Sequence, residues 1–178
     1  KRVGNYNGGK LAICPLGGPH SSTVAMPTVS HSTSPHSIVI ASTFTAEPLM
    51  APMSAWFRWL GLPTDIRFAA YNQVFQQLLD PPSLVRSNRT GSNIFLCCID
   101  DWARLSETQA AWNHAEEFSR SLEKFASTST SQSVVCLCSS SRSLPDSLCQ
   151  SCTDIEKMLL ERLPLAGIEN VFRSSDID

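Results

Sequence analysis

The chain has 178 residues, of which 42% are hydrophobic and 17% are charged, so it can bury a sizeable core and does not have the composition of a disordered tail. Its net charge of −2 provides no basic field, so neither nucleic acid nor an anionic membrane is an expected partner. The apolar runs are too short to span a bilayer, and the polar start lacks the apolar core of a signal peptide.

Residues 1–37 differ in composition from the rest of the chain. They are rich in Ser, Thr, Gly, Pro and His and poor in large apolar side chains, which is typical of a linker. A start at Lys1 without Met also suggests a segment cut from a larger protein. We therefore predict a flexible linker over residues 1–37 and an α/β domain over residues 38–178 that is incomplete at its C-terminal end.

Regular patterns begin at Ser37–Ser42, a short apolar run that is typical of a buried parallel strand. Helical spacing follows, and Gly61 is expected to end that helix. The apolar residues on one face of the helix are Leu49, Met53, Trp56, Phe57 and Leu60. Residues Ile66–Ala70 predict a second strand, and Asn72 is a candidate cap for the next helix. That helix would carry Val74, Phe75, Leu78 and Leu79 and end at Asp80-Pro81-Pro82.

The second half of the chain continues the alternation. Asn93–Ile99 predicts a third strand, and Ser106 is expected to begin a long helix with Glu107 in its first turn. The buried stripe of this helix is predicted to be Trp112, Ala115, Phe118, Leu122 and Phe125. After a loop at Ser127–Ser133, the remaining elements are a strand at Val134–Cys138, a helix at Asp154–Leu163 and a strand at Ile168–Phe172.

Nearly all-apolar strands that alternate with helices indicate a parallel sheet covered on both faces. Right-handed crossovers then give a doubly wound three-layer α/β sandwich of about five strands. Ligands of such sheets bind beyond the carboxyl ends of the strands, so we predict any site there. The residues expected to form it are Ser42, Thr43, Thr45, Asn72, Gln73, Asp100 and Trp102.

The seven cysteines are an odd number, and most lie in apolar strand segments, which favours reduced thiols in a cytoplasmic protein over a disulfide framework. Cys136-Leu137-Cys138 and Cys149–Cys152 could in principle supply four thiolates to zinc. We expect Cys136 and Cys138 to lie on opposite faces of their strand, and we therefore predict no metal site.

Other motifs have simpler explanations than function. Gly4–Lys10 has the spacing of a phosphate-binding loop but lacks the flanking strand and helix. Asn88–Thr90 is a glycosylation sequon, which has meaning only in a secreted chain. His114 is expected to face solvent without a catalytic neighbour. Asp100 and Asp101 follow a strand, where helix capping is the favoured interpretation.

Three segments resemble the amino-terminal region of FkbH-like (HAD-IIIC type) proteins: Ile40–Leu49, Trp59–Pro63 and Phe68–Leu84. Ile99–Arg104 continues the resemblance, which covers about residues 38–178. The most similar form is embedded in modular polyketide synthases and non-ribosomal peptide synthetases of secondary-metabolite biosynthesis. The resemblance implies an SGNH-hydrolase-like, flavodoxin-like fold here and a HAD-like domain with an Asp-x-Asp motif beyond it. In that family the HAD-like domain, where Mg²⁺ would bind, loads a glyceryl unit onto the phosphopantetheine thiol of a carrier protein.

The chain lacks the sequence motifs that carry out catalysis in this family. No Asp-x-Asp-x-Thr follows a strand, and Ser42–Thr45 stands where SGNH hydrolases have Gly-Asp-Ser. The family's Gly-His segment, which would hold a base, would fall after Asp178. A hydroxyl group without an adjacent base is a weak nucleophile.

We therefore predict a non-catalytic domain that supports loading of a glyceryl-type acyl unit by an adjoining HAD-like domain. The expected partners are that domain and a carrier protein with its phosphopantetheine arm, and no cofactor is expected in this chain. The alternatives are a residual acyl-transfer or esterase site that uses Ser42 or Thr45, and a purely structural module.

Overall fold

A computed structural model describes residues 35–104, 108–138 and 145–173. The predicted linker over residues 1–37, except for its last three positions, and the loop-like segment Gly4–Lys10 lie outside the described residues. So do Ser106 and Glu107, which were expected to begin the long helix.

Five parallel strands form one sheet in the order β2-β1-β3-β4-β5. The strands are β1 (His36–Ser42), β2 (Thr64–Phe68), β3 (Ser92–Cys98), β4 (Gln132–Cys138) and β5 (Asn170–Arg173). The helices are α1 (Met50–Trp59), α2 (Val74–Leu79), α3 (Leu84–Ser87), α4 (Ile99–Arg104), α5 (Thr108–Ala126) and α6 (Asp146–Leu165). The chain steps one way from β1 to β2 and the other way from β3 to β5, which is a doubly wound topology. The predicted α/β fold class is confirmed.

Most predicted elements are present with shifted ends. α6 begins at Asp146 instead of Asp154, and the short helices α3 and α4 were not predicted. The prediction that Asn72 caps α2 is wrong, because Gln73 is the N-cap residue and forms no side-chain cap bond. Asn72 has a φ of 54°, a left-handed conformation that Asn tolerates better than most residues.

Gly61 ends α1, as predicted. It adopts a φ of 68°, and its N–H donates to the Arg58 carbonyl at 3.1 Å. The N–H of Leu62 donates to the Phe57 carbonyl at 2.9 Å, which completes a Schellman motif. The glycine is needed here because a Cβ atom disfavours positive φ.

One face of the sheet is fully covered by α2, α5 and α6. Phe95 in β3 is buried there, and its ring lies 6.5 Å from Phe118 and 6.2 Å from Phe125 of α5. The predicted stripe of α5 is therefore confirmed, with only Trp112 half-buried. His114, expected to face solvent, is half-buried with its ring 6.1 Å from that of Phe75.

The other face of the sheet is covered less completely than predicted. Among the described residues, α1 is the helix that packs on it, with Met53 and Phe57 against Ile38 and Ile40 of β1. On the same face, β3 and β4 remain half-buried at Ile94, Leu96, Val134, Cys136 and Cys138. Within the part of the chain that the structure describes, no helix is long and apolar enough to cross a membrane.

Candidate functional site

The carboxyl ends of β1 and β3 lie side by side in the middle of the sheet, where the strand order reverses. Ser42, the last residue of β1, pairs in register with Leu96 of β3. A crevice beyond this switch point is the usual ligand site of doubly wound sheets. The candidate site is therefore formed by the segment after β1 and by α4, which follows β3 directly.

Thr43 links these two segments. Its side chain is buried, and its hydroxyl donates to Oδ2 of Asp101 at 3.0 Å. The same hydroxyl oxygen accepts a hydrogen bond of 2.9 Å from the backbone N–H of Cys98. Because its one proton and its accessible lone pair are both in use, the Thr43 hydroxyl is a structural link rather than a free nucleophile.

The Ser42 hydroxyl also forms a hydrogen bond within the protein. Ser42 is 4% exposed, and its hydroxyl donates to the carbonyl of Phe44 at 2.6 Å, within its own turn. Thr45, in contrast, is exposed. Among the candidate hydroxyl groups, only that of Thr45 is therefore accessible to a ligand or substrate.

The structure describes two histidines, and neither serves these hydroxyl groups. His36 lies at the amino end of β1, and its Nε2 is 3.0 Å from the Ser92 hydroxyl. His114 packs against Phe75. No hydrogen bond in the described part of the chain joins either imidazole to Ser42, Thr43 or Thr45. A general base of the kind that activates serine hydrolases is therefore not assembled from these residues.

Asp100 and Asp101 lie in the first turn of α4, a helix that the sequence pattern did not reveal. Both residues are therefore inside the helix, whereas the capping interpretation expected them at its N-cap position. Carboxylates in a first helical turn are stabilised by the helix dipole. Asp100 is 1% exposed, whereas Asp101 is half-buried and accepts the Thr43 hydrogen bond.

The remaining predicted residues divide by exposure. Trp102 is 5% exposed, with its ring 5.6 Å from Phe118 and 6.4 Å from Phe75, so it belongs to the core. Asn72 and Gln73, between β2 and α2, are exposed. The carboxyl edge therefore presents three of the seven predicted site residues to solvent, namely Thr45, Asn72 and Gln73. Their role in binding stays a prediction.

Sequence reasoning missed the position of the cysteines beside this edge. Cys98 and Cys138 end β3 and β4 and pair in register. Burial raises the pKa of the Cys98 thiol above its ordinary value, and the carboxylates of Asp101 and Asp100 raise it further. Hydrogen bonds from the backbone N–H groups of Asp100 and Asp101 lower this pKa, but by less. Burial, with smaller contributions from Cys98, Cys136 and Asp101, raises the pKa of Cys138 to about 11. Neither thiol is an activated nucleophile at neutral pH.

The expectation that Cys136 and Cys138 lie on opposite faces of β4 is wrong. Residues two apart in a strand share a face, and both are half-buried on the face that carries α1. Cys152 is buried on the other side of the sheet, in the core that α6 forms with α5. Within the described ranges, no group of three His, Cys, Asp or Glu side chains could hold a metal ion.

The opposite, amino-terminal edge of the sheet also carries polar side chains. A cavity of about 250 Å³ there is lined by Pro81, Arg86, Asn88, Arg89, Phe125, Thr128, Ser129 and Thr130. Arg86 already has structural partners: its Nε donates to the Leu78 carbonyl at 2.8 Å, and its guanidinium lies 5.6 Å from the Phe125 ring centre. The arginine therefore caps α2 and covers the core.

Asn88, the first residue of the glycosylation sequon, is 3% exposed. Its amide nitrogen donates to the Ser92 carbonyl at 3.1 Å and to Oδ1 of Asn93 at 3.0 Å. A glycan on this nitrogen would replace those bonds and would not fit the buried site. The folded domain therefore does not present Asn88 for glycosylation.

The chain matches no family model and no curated protein sequence. It is similar in fold to a crystal structure of the N-terminal part of the protein BF1531 from Bacteroides fragilis, described as containing a phosphatase domain complexed with Mg. The two superpose with a TM-score of 0.61 over 78% of this chain, at 12% sequence identity. At that identity the likeness concerns the fold alone. This chain spans 39% of the length of that one.

Proposed function

We propose that this chain forms a non-catalytic α/β domain of a larger protein. In that protein, the domain would position a carrier protein for acyl loading by an adjoining HAD-like domain. The observation that carries the proposal is the state of the hydroxyl groups after β1. Ser42 donates to the Phe44 carbonyl, and Thr43 is held between Asp101 and the Cys98 N–H. A switch point whose hydroxyl groups are built into the scaffold supports binding or positioning more readily than hydrolysis.

The context of a larger protein is supported by two independent likenesses. The segments Ile40–Leu49 and Phe68–Leu84 resemble FkbH-like proteins of polyketide and non-ribosomal peptide synthetases. A protein of similar fold is described as containing a phosphatase domain complexed with Mg. In this proposal the adjoining domain supplies Mg²⁺-dependent chemistry and transfers a glyceryl-type unit, while this chain holds no cofactor.

The proposed contact with the carrier protein is the exposed part of the carboxyl edge. Thr45, Asn72 and Gln73 are accessible there and offer a hydroxyl group and two carboxamides. These groups can donate hydrogen bonds to the phosphate of a phosphopantetheine arm. The buried Thr43 and the half-buried Asp101 would hold the segment after β1 against α4 without contacting the carrier protein.

NMR shift mapping with a phosphopantetheinylated carrier protein tests the proposal. We expect shifts centred on Thr45, Asn72 and Gln73, and weaker binding in the Thr45→Ala/Asn72→Ala/Gln73→Ala variant. A carrier protein without the arm separates binding of the arm from binding of the protein surface. The double variant Gln109→Ala/Asn113→Ala, which removes exposed amides of α5, is the matched control.

Shifts confined to the amino-terminal edge would overturn the proposed contact. No shift at millimolar carrier protein would leave the purely structural module as the better description. A residual acyl-transfer or esterase site remains the second candidate, because the Thr45 hydroxyl is exposed at the edge where substrates of this fold bind.

A further inference from the structure

Helix α1 is apolar on nearly all sides. Its sequence, Met-Ala-Pro-Met-Ser-Ala-Trp-Phe-Arg-Trp, contains one charged residue, Arg58, and one hydroxyl, Ser54. None of its ten residues is buried in the single chain. Helices that are apolar all round are normally buried, so the environment of α1 in one copy of the chain does not match its composition.

The apolar surface around α1 is large. Trp56 and Trp59 are 70% and 83% exposed, and four apolar neighbours are between 39% and 53% exposed. These neighbours are Leu49, Met50, Leu60 and Leu62. Leu62 lines a cavity on the β2 side of the helix, whereas Leu49, Trp56, Trp59 and Leu60 alone expose on the order of 500 Å². That area is at the upper end of the largest apolar patch of a typical monomer, and it is more than half of the roughly 800 Å² that each partner contributes to a standard interface.

The exposed side of α1 borders a trough. On one side of α1, Ser54 and Arg58 line a cavity together with Thr64 and Ile66 of the edge strand β2. The opposite side of the helix, which carries Trp56, is therefore turned toward the strands on the other side of β1, namely β3, β4 and β5. On that side, a groove of about 340 Å³ is lined by Leu49, Pro52, Met53, Trp56, Phe57 and Leu60.

The floor of the trough is the open half of the sheet. The positions of β3, β4 and β5 that face the same way as Ile38 carry no charged side chain: Ser92, Ile94, Leu96, Cys98, Gln132, Val134, Cys136, Cys138, Asn170 and Phe172. The large apolar ones are half-buried, apart from Phe172, which is 43% exposed. Parallel sheets are ordinarily covered on both faces, so this floor lacks a cover in the described chain.

We propose that a second copy of the chain supplies the cover, with each α1 lying on the open half of the other copy's sheet. The surface is self-complementary, because one copy offers both a ridge, α1, and a trough beside it. Three strands about 4.8 Å apart form a floor roughly as wide as a helix about 10 Å in diameter. A two-fold axis between the helices then places the two α1 helices side by side in one layer between the two sheets.

The outward side of α1 suits this arrangement. Ala51 and Ala55 lie opposite Met53 and Phe57 around the helix, and both are exposed. Their small side chains allow the second sheet to approach closely, while Trp59 extends beside them. A partner that docks by charge would find only Arg58 on this helix. The apolar character of both ridge and floor therefore favours a second copy over a charged partner.

Analytical ultracentrifugation of the 178-residue chain over a concentration series tests this pairing. We expect a dimer, and at least a tenfold rise in its dissociation constant in Ala55→Arg, because the arginine would enter the layer between the sheets. Trp59→Ala should weaken the dimer as well. Both residues are exposed in a single copy, so far-UV circular dichroism should show both variants folded.

Leu165→Arg is the matched control, since Leu165 is 89% exposed at the end of α6, away from α1, and should leave the dimer intact. A chain that stays monomeric at hundreds of micromolar would overturn the inference. So would a dimer, or larger assembly, that tolerates both Ala55→Arg and Trp59→Ala, because its contact would then lie elsewhere.

Discussion

Thr43 and Asp101 are joined by a hydrogen bond of 3.0 Å although 58 residues separate them in the sequence. The bond connects the segment after β1 to the first turn of α4, at the point where the order of the strands reverses. The Cys98 N–H, at the end of β3, donates to the same threonine hydroxyl. The position that binds ligands in many doubly wound proteins is therefore bridged here by the protein's own side chains.

Replacing Thr43 by Val should destabilise the domain by about 1–3 kcal/mol, because the change keeps the shape of the side chain but leaves the Cys98 N–H and the Asp101 carboxylate without this partner. Thr43→Ser retains the hydroxyl and should cost less. Urea unfolding monitored by circular dichroism measures both effects. A Val variant as stable as the parent chain would show that the bridge contributes nothing to the fold.

Short acyl esters should not be turned over above background by this chain. Ser42 and Thr43 have committed hydroxyl groups, and neither His36 nor His114 is hydrogen-bonded to a candidate nucleophile. A chromogenic acetyl or butyryl ester provides the assay, with Ser42→Ala and Thr45→Ala as controls for any residual rate. Activity that disappears in Thr45→Ala would establish the exposed hydroxyl as a nucleophile and replace the binding proposal with an enzymatic one.

Gly91→Ala should destabilise the fold by more than about 2 kcal/mol, because a Cβ atom there would overlap the Ser37 carbonyl group and lie 2.8 Å from Oδ1 of Asn88. Gly61→Ala makes a useful comparison. A Cβ at Gly61 meets nothing within 4 Å, so its cost is that of a positive φ, about 1 kcal/mol. Equal losses in the two variants would indicate that the segment at Gly91 moves to accept the methyl group.

Stability should fall as the pH rises above about 9. The pKa of Cys138 is about 11 in the folded chain against an ordinary value of 9.0, so the folded state holds the thiol proton more tightly than the unfolded state does. The contribution is complete below pH 9 and is lost as the pH passes through 11.

Urea unfolding at pH 7.5 and pH 10.5 under reducing conditions measures this loss. The Cys138→Ala variant should show a smaller decline between the two conditions, since one of the titrating thiols is gone. Identical declines in the two proteins would assign the pH dependence to other groups.

The alternation of strands and helices could be predicted because each pattern is local. An apolar run such as Val134–Cys138 and a helical stripe such as Phe118, Leu122 and Phe125 are each visible within a few turns or one strand. Gly61 could be assigned as a helix end for the same reason. The helix α4 was missed because it is only six residues long and follows β3 without a turn.

The sequence by itself determined the fold class, and from it followed the prediction that the segments after the strands share one edge of the sheet, since parallel strands bring these connections to one side. It could not determine which residues of those segments reach solvent. Trp102 turns into the core and Thr43 bonds to Asp101, whereas Thr45 stays exposed. The order β2-β1-β3-β4-β5 also decides which half of the sheet lies beside α1. These outcomes depend on contacts between segments tens of residues apart, which only the packed tertiary structure brings together.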